Sequence, residues 1–138
     1  MDKKDQENGH RTVNAAGKRF LIVDDVDINR EYLRIMLENT GAIVDEAVTG
    51  DEAVRMFSRE KYDMVFMDLH MPVMNGYNSA KNIRELPFAS AYTTPIISVS
   101  AENSLELQLK CKEVGMNDHL VKPVTEEAVA EMIRKWLH

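Results

Sequence analysis

The sequence predicts an α/β fold: a five-stranded parallel sheet with helices on both faces. Two observations lead there. Short, continuous apolar runs recur at Phe20-Leu21-Ile22-Val23, Met64-Val65-Phe66-Met67, Ile96-Ile97-Ser98-Val99 and Leu120-Val121. Runs of this kind suit strands buried on both faces of a parallel sheet. Segments with helical spacing lie between them, and strand–helix alternation implies right-handed crossovers.

Order begins at Arg19, and residues 1–18 read as a flexible tail or linker. This segment mixes Lys3, Lys4, Arg11 and Lys18 with Asp2, Asp5 and Glu7 and has no apolar period. The first strand is Phe20 to Val23. Asp27 then offers an N-cap, followed by Ile28, Tyr32, Ile35 and Met36 at helical spacing, with Gly41 as a stop. Ala42-Ile43-Val44 is a weaker second strand. Ala53, Val54 and Phe57 mark the second helix. Ala80, Ile83 and Leu86 mark the third, ended by Pro87. Leu105, Leu109 and Val114 mark the fourth, before Gly115. The fifth helix has Thr125 as N-cap, Glu126 and Glu127 in its first turn, then Val129, Met132, Ile133, Trp136 and Leu137.

The bulk numbers set limits. A chain of 138 residues with 44% hydrophobic and 29% charged residues is one globular domain, 19–138 here. No stretch reaches the roughly 20 apolar residues that span a bilayer, and residues 1–17 lack the apolar core of a secretory signal. Cys111 is the sole cysteine, so no internal disulfide forms, which fits the cytoplasm. A net charge of -6 disfavours direct nucleic-acid binding.

In open α/β sheets, ligands bind beyond the carboxyl ends of the strands. Asp24 and Asp25 follow the first apolar run, Asp68 the third, Ser100 the fourth, and Lys122 with Pro123 the last. Three carboxylates, a hydroxyl and an ammonium therefore converge on one edge. Crowded carboxylates resist ionising without a counter-charge. Mg²⁺ resolves this, because it takes oxygen ligands and uses one or two carboxylates plus phosphate oxygens. Metal, Lys122 and Ser100 together form the charge-neutralising clamp that phosphoryl transfer needs. A carboxylate can itself be the nucleophile and become an aspartyl phosphate, and Asp68 is the central candidate.

Four blocks carry a resemblance. They are Phe20 to Asp25, Met67-Asp68-Leu69-His70-Met71-Pro72-Val73-Met74-Asn75-Gly76, Pro95 to Ala101, and Leu120-Val121-Lys122-Pro123. In this order and spacing they resemble the receiver domains of two-component response regulators, over nearly all of the chain from Arg19. Asp27-Ile28-Asn29-Arg30 and Cys111 to Met116 are similar to receivers of hybrid sensor histidine kinases. The resemblance implies a flavodoxin-like (βα)5 sheet of strand order 2-1-3-4-5. It implies Asp68 as phosphoacceptor, and Asp25, Asp68 and the backbone carbonyl of His70 as Mg²⁺ ligands. Asp24 would act mainly through a metal-bound water. Ser100 and Lys122 would meet the phosphoryl group, and the bond before Pro123 is often cis. The partners implied are a sensor histidine kinase or a histidine phosphotransfer protein as donor and a protein as output target. The surface around the fourth helix and fifth strand is the expected output face. A homodimer is compatible with the family. His70 and Glu102 fall where the family tunes dephosphorylation. His119 departs from the pattern, standing where the family usually has Tyr or Phe.

Plainer readings stand beside these. Taken alone, Asp24 and Asp25 read as acidic caps and Lys122 as a solvated loop residue, while Ser100 serves locally as well as an N-cap for the fourth helix. Cys111 reads as a small buried hydrophobe. Two further functions compete. A haloacid-dehalogenase-type phosphatase would use Asp25-Val26-Asp27, but Asn29 stands where that family wants Thr or Val. A pseudo-receiver would be a constitutive interaction module, yet every acidic and Lys position is kept. The chain ends after the fifth helix, as expected of a stand-alone receiver or of a piece of a hybrid kinase.

Overall fold

The computed structural model describes residues 13–71 and 74–137. Its elements are β1 (Arg19–Val23), α1 (Asp27–Glu38), β2 (Ile43–Ala47), α2 (Gly50–Arg59), β3 (Met64–Asp68) and α3 (Gly76–Arg84). After them come α4 (Ser90–Thr93), β4 (Ile96–Ser100), α5 (Leu105–Glu113), β5 (Asp118–Val121) and α6 (Glu126–Trp136). All strand pairs are parallel, in the order β2-β1-β3-β4-β5. The expected fold class and strand order are both found.

Period-two alternation along the strands divides the core into two layers. Leu21, Val23, Val65, Met67 and Ile96 face Ala53 and Phe57 of α2, Ala80 and Ile83 of α3, Ala91 of α4 and Leu107 of α5. Phe20, Ile22, Phe66, Ile97 and Leu120 face Leu33 and Leu37 of α1 and Val129 and Ile133 of α6. β3 and β4 are buried along their whole length, which is why apolar residues dominate them apart from Asp68, Ser98 and Ser100. Thr49, Asn75, Ser104 and Thr125 cap α2, α3, α5 and α6 by accepting from the backbone N–H three residues on.

Several expectations shift. Val26, not Asp27, occupies the N-cap of α1 and makes no side-chain cap bond; Asp27 instead pairs with Arg30. α1 buries Leu33, Met36 and Leu37, while Ile28 is 72% exposed and Tyr32 and Ile35 are also exposed. α5 likewise buries Leu107 and Cys111 and leaves Leu105, 71% exposed, and Leu109 outside. Apolar residues ring these helices, so spacing identifies the helix without choosing its inner face. β2 extends through Asp45 and Glu46, because this edge strand pairs them with Arg19, Arg30 and Arg34. α4 is a short extra turn. Ordered packing also starts before Arg19: Ala15 is 1% exposed, and its N–H donates to the Thr40 carbonyl. Residues 1–12 of the expected tail lie outside the described residues.

Arg84 joins the elements at the edge opposite the strands' carboxyl ends. Its guanidinium donates to the carbonyls of Ala91, Thr94 and Gly115 and to Asn117 Oδ1, at 2.8–3.0 Å. Burial pushes its pKa down, and acceptor oxygens stand in for the lost water. Arg84→Met should strand these acceptors and cost about 3 kcal/mol. A urea titration reads this as a lower midpoint with unchanged slope.

Candidate functional site

Parallel strands deliver their carboxyl ends to one edge, so the residues at those ends meet there. Asp24 lies just past β1, Asp68 and Ser100 end β3 and β4, and Lys122 lies just past β5. Because β1 and β3 are neighbours, their acids face each other. Carboxylate oxygens of Asp24, Asp25 and Asp68 lie within 4.8 Å of one another, with Asp24 and Asp68 buried and Asp25 exposed. Lys122 Nζ stands 3.7 Å from Asp24 and 3.6 Å from Asp68.

Backbone donors take up part of the charge. Val26 N–H donates to Asp24 at 2.8 Å, and His70 N–H to Asp68 at 3.2 Å. Burial pushes the Asp24 carboxyl above its usual pKa, and nearby Asp68 adds to this. The Val26 N–H and Lys122 oppose both effects. One ammonium does not balance three carboxylates, and an all-oxygen donor set this tight fits a hard divalent cation.

Ser100 is fully buried, and its hydroxyl accepts from Glu102 N–H at 3.0 Å. Ser104, not Ser100, is the N-cap of α5, so the capping alternative for Ser100 falls. His70 is exposed, with Nε2 3.4 Å from Ser100 Oγ. The Lys122–Pro123 bond is cis. His119 is drawn to Ser98 and Glu102 rather than to the carboxylates.

Two contributors are not evident from sequence. Arg30 donates to the Asp24 carbonyl at 2.8 Å and to Glu46 at 3.2 Å, bracing the turn that carries Asp24. Gly76 packs on the backbone of the β3 end. A Cβ there would overlap the Asp68 carbonyl oxygen and come 2.9 Å from Leu69 Cα. Its Asn-Gly position signals a turn, but only the fold reveals this approach.

The family model for the response regulator receiver domain matches residues 20–134. The chain belongs to this family. Hybrid signal transduction histidine kinase L of Dictyostelium discoideum is 35% identical over 124 residues, which cover 86% of this chain and 7% of that kinase. The receiver thus spans a small part of this relative's length. Chemotaxis protein CheY4 of Vibrio cholerae superposes with a TM-score of 0.83 at 30% identity, covering 88% of this chain and 100% of that one. The receiver domain of sensor histidine kinase PA1611 from Pseudomonas aeruginosa gives 0.79 at 31% identity, covering 88% and 98%. That neighbour has a magnesium ion coordinated in its active site cleft. This chain is a receiver domain of two-component or phosphorelay signalling, and its acidic cluster is compatible with Mg²⁺. No described helix is long and apolar enough to cross a membrane.

The geometry makes two outcomes testable. Asp24→Asn keeps the acceptor for Val26 N–H and removes a charge that folding disfavours, so in metal-free buffer at neutral pH it should stabilise the receiver by about 1 kcal/mol. The sign comes from the raised pKa. The unfolded Asp24 ionises first, so the wild type loses stability as pH rises above the usual carboxylate range. The gap between variant and wild type should therefore close in acid, as thermal melts across pH will show. Gly76→Ala should displace the Asp68 backbone, lowering stability by about 2 kcal/mol in urea melts.

Proposed function

We propose that Asp68 is the phosphoacceptor of this receiver, and that the donor is a phosphohistidine on a sensor kinase or a histidine phosphotransfer protein. The observation that carries this reading is Asp68 itself: buried beside Asp24, at the carboxyl end of a central strand, with Lys122 Nζ at 3.6 Å. An Asp68 carboxylate oxygen attacks phosphorus, a new P–O bond forms, and the donor's P–N bond breaks. The proton needed by the leaving imidazole belongs to the donor's side of the reaction.

The other side chains have separable tasks. Lys122 carries a mobile point charge that can turn from the carboxylates to a phosphoryl oxygen. Ser100 donates its hydroxyl hydrogen to another such oxygen. Asp25, Asp68 and the His70 carbonyl would hold Mg²⁺, with Asp24 acting at one remove. The bound ion would neutralise charge on the phosphoryl oxygens and on the acidic cluster. His70 and Glu102 flank Ser100 and would modulate the lifetime of the phosphoryl group. The chain acts on itself, with no separate substrate turned over. Its place is the cytoplasm, which the lone buried Cys111 supports. The output is a changed surface for a protein partner.

Acetyl phosphate, with and without Mg²⁺, tests the reading by intact mass. A Mg²⁺-dependent gain of one phosphoryl group that is lost in Asp68→Asn is the expected result. Lys122→Ala should slow the gain by about 100-fold, in line with removal of a single charge-stabilising donor. No gain in the wild type under any condition would overturn the proposal.

A further inference from the structure

His119 is tied at both ring nitrogens. It stands on β5 opposite Ser98 of β4. Nδ1 lies 2.6 Å from Ser98 Oγ, and Nε2 lies 2.9 Å from the Glu102 carbonyl oxygen. A carbonyl oxygen only accepts, so Nε2 carries the hydrogen. In the neutral ring Nδ1 is then an acceptor for the Ser98 hydroxyl, whose single hydrogen also has the Asp118 carbonyl oxygen within reach at 3.2 Å. Behind Ser98, the buried Cys111 thiol donates to Ser98 Oγ at 3.5 Å. Cys111, Ser98, His119 and Glu102 thus lie along one hydrogen-bonded chain.

Glu102 is held from its other side as well. Its N–H donates to Ser100 Oγ at 3.0 Å. One residue of the β4–α5 connection is thus fastened by its carbonyl to His119 and by its N–H to Ser100. With that oxygen lone pair taken up by Glu102, the rotation of the Ser100 hydroxyl is restricted and its hydrogen is left for acceptors within the site, where His70 Nε2 already lies 3.4 Å away. A phenyl ring at position 119 would offer neither nitrogen.

We infer that His119 is a positioning residue for phosphoryl transfer, acting through Glu102 to orient the Ser100 hydroxyl. The inference rests on the reading of Ser100 as a phosphoryl contact. The two hydrogen bonds of the ring are separable by substitution. The amide of His119→Gln reaches about as far as Nε2 and can still donate to the Glu102 carbonyl. The amide of His119→Asn reaches only as far as Nδ1 and keeps the Ser98 side alone. His119→Phe keeps the ring shape and loses both.

The experiment measures the rate of Mg²⁺-dependent phosphoryl gain from acetyl phosphate, for these three variants in wild-type and Ser100→Ala backgrounds. His119→Phe and His119→Asn should each slow the gain about five-fold, the worth of one oriented hydrogen bond, while His119→Gln stays within about two-fold of wild type. In Ser100→Ala, His119→Phe should add no further loss, because the effect passes through that hydroxyl. An equal loss in both backgrounds, or His119→Gln as slow as His119→Phe at matched urea midpoints, would overturn the inference and leave the phosphoacceptor reading standing. A wild type that gains nothing would remove both. Ring ¹⁵N spectra of the unsubstituted protein give an independent reading. A ring protonated at Nε2 is expected, and a ring with no hydrogen on Nε2 would overturn the tie to Glu102.

Discussion

Negative charge held out of water is the constraint around which this receiver is built. Asp24 and Asp68 are buried beside each other, and Asp25 completes the triad at the surface. Like charges this close raise the free energy of the folded state unless something opposes them. The opposition comes from three directions. Lys122 arrives from β5, across β4, to stand between two of the acids. The N–H groups of Val26 and His70 turn inward at the ends of β1 and β3. Arg30 braces the Asp24 turn through its carbonyl. A parallel sheet is what permits this, since every strand delivers its carboxyl end to the same edge. An antiparallel sheet would send half of these residues to the other end.

The same edge explains which parts of the fold were legible. β1, β3 and β4 are mostly buried on both faces, so their sequences are dominated by apolar residues, and acids appear where the site begins. Asp24 and Asp68 could be picked out for that reason, and Ser100 and Lys122 as polar residues at the ends of the later apolar runs. β2 is an edge strand whose Asp45 and Glu46 are satisfied by arginines distant in sequence, and local composition does not announce such partners. α1 and α5 were visible as helices, but their inner faces were not. Leu105, Leu107 and Leu109 sit on alternate positions of one short helix, and only the sheet beneath selects Leu107. α4 is shorter than any periodicity can show.

At the site, residue type was legible and close approach was not. A carboxylate after a strand carries its chemistry in its name. Gly76 does not, because its role is an absence: no side chain can fit against the Asp68 backbone. Arg84 was invisible for a related reason. Its partners are mostly backbone carbonyls, which every residue possesses. His119 was conspicuous as a departure from its family, yet its two hydrogen-bond partners come from a strand and a loop that sequence alone does not bring together.

Those partners bear on how a change at Asp68 could leave the site. Ser100 ends β4, and α5 begins at Leu105 after the connection that contains Glu102. Slack chain of this length would absorb a small displacement within its own torsions. Here Glu102 is fastened on both sides, and Ser104 caps α5 while donating to the Glu102 carboxylate at 3.0 Å. The connection is therefore braced on both sides of Glu102. The exposed Leu105, Leu109 and Val121 lie around the same surface pocket as His119. On the role proposed for Ser100, a rearrangement toward a phosphoryl oxygen would either carry this braced segment with it, toward the first turn of α5, or break the His119 bond. Either would act next to that apolar surface. Replacing the ring nitrogens would remove one of the two ties on Glu102, and this is the physical content of the role proposed for residue 119.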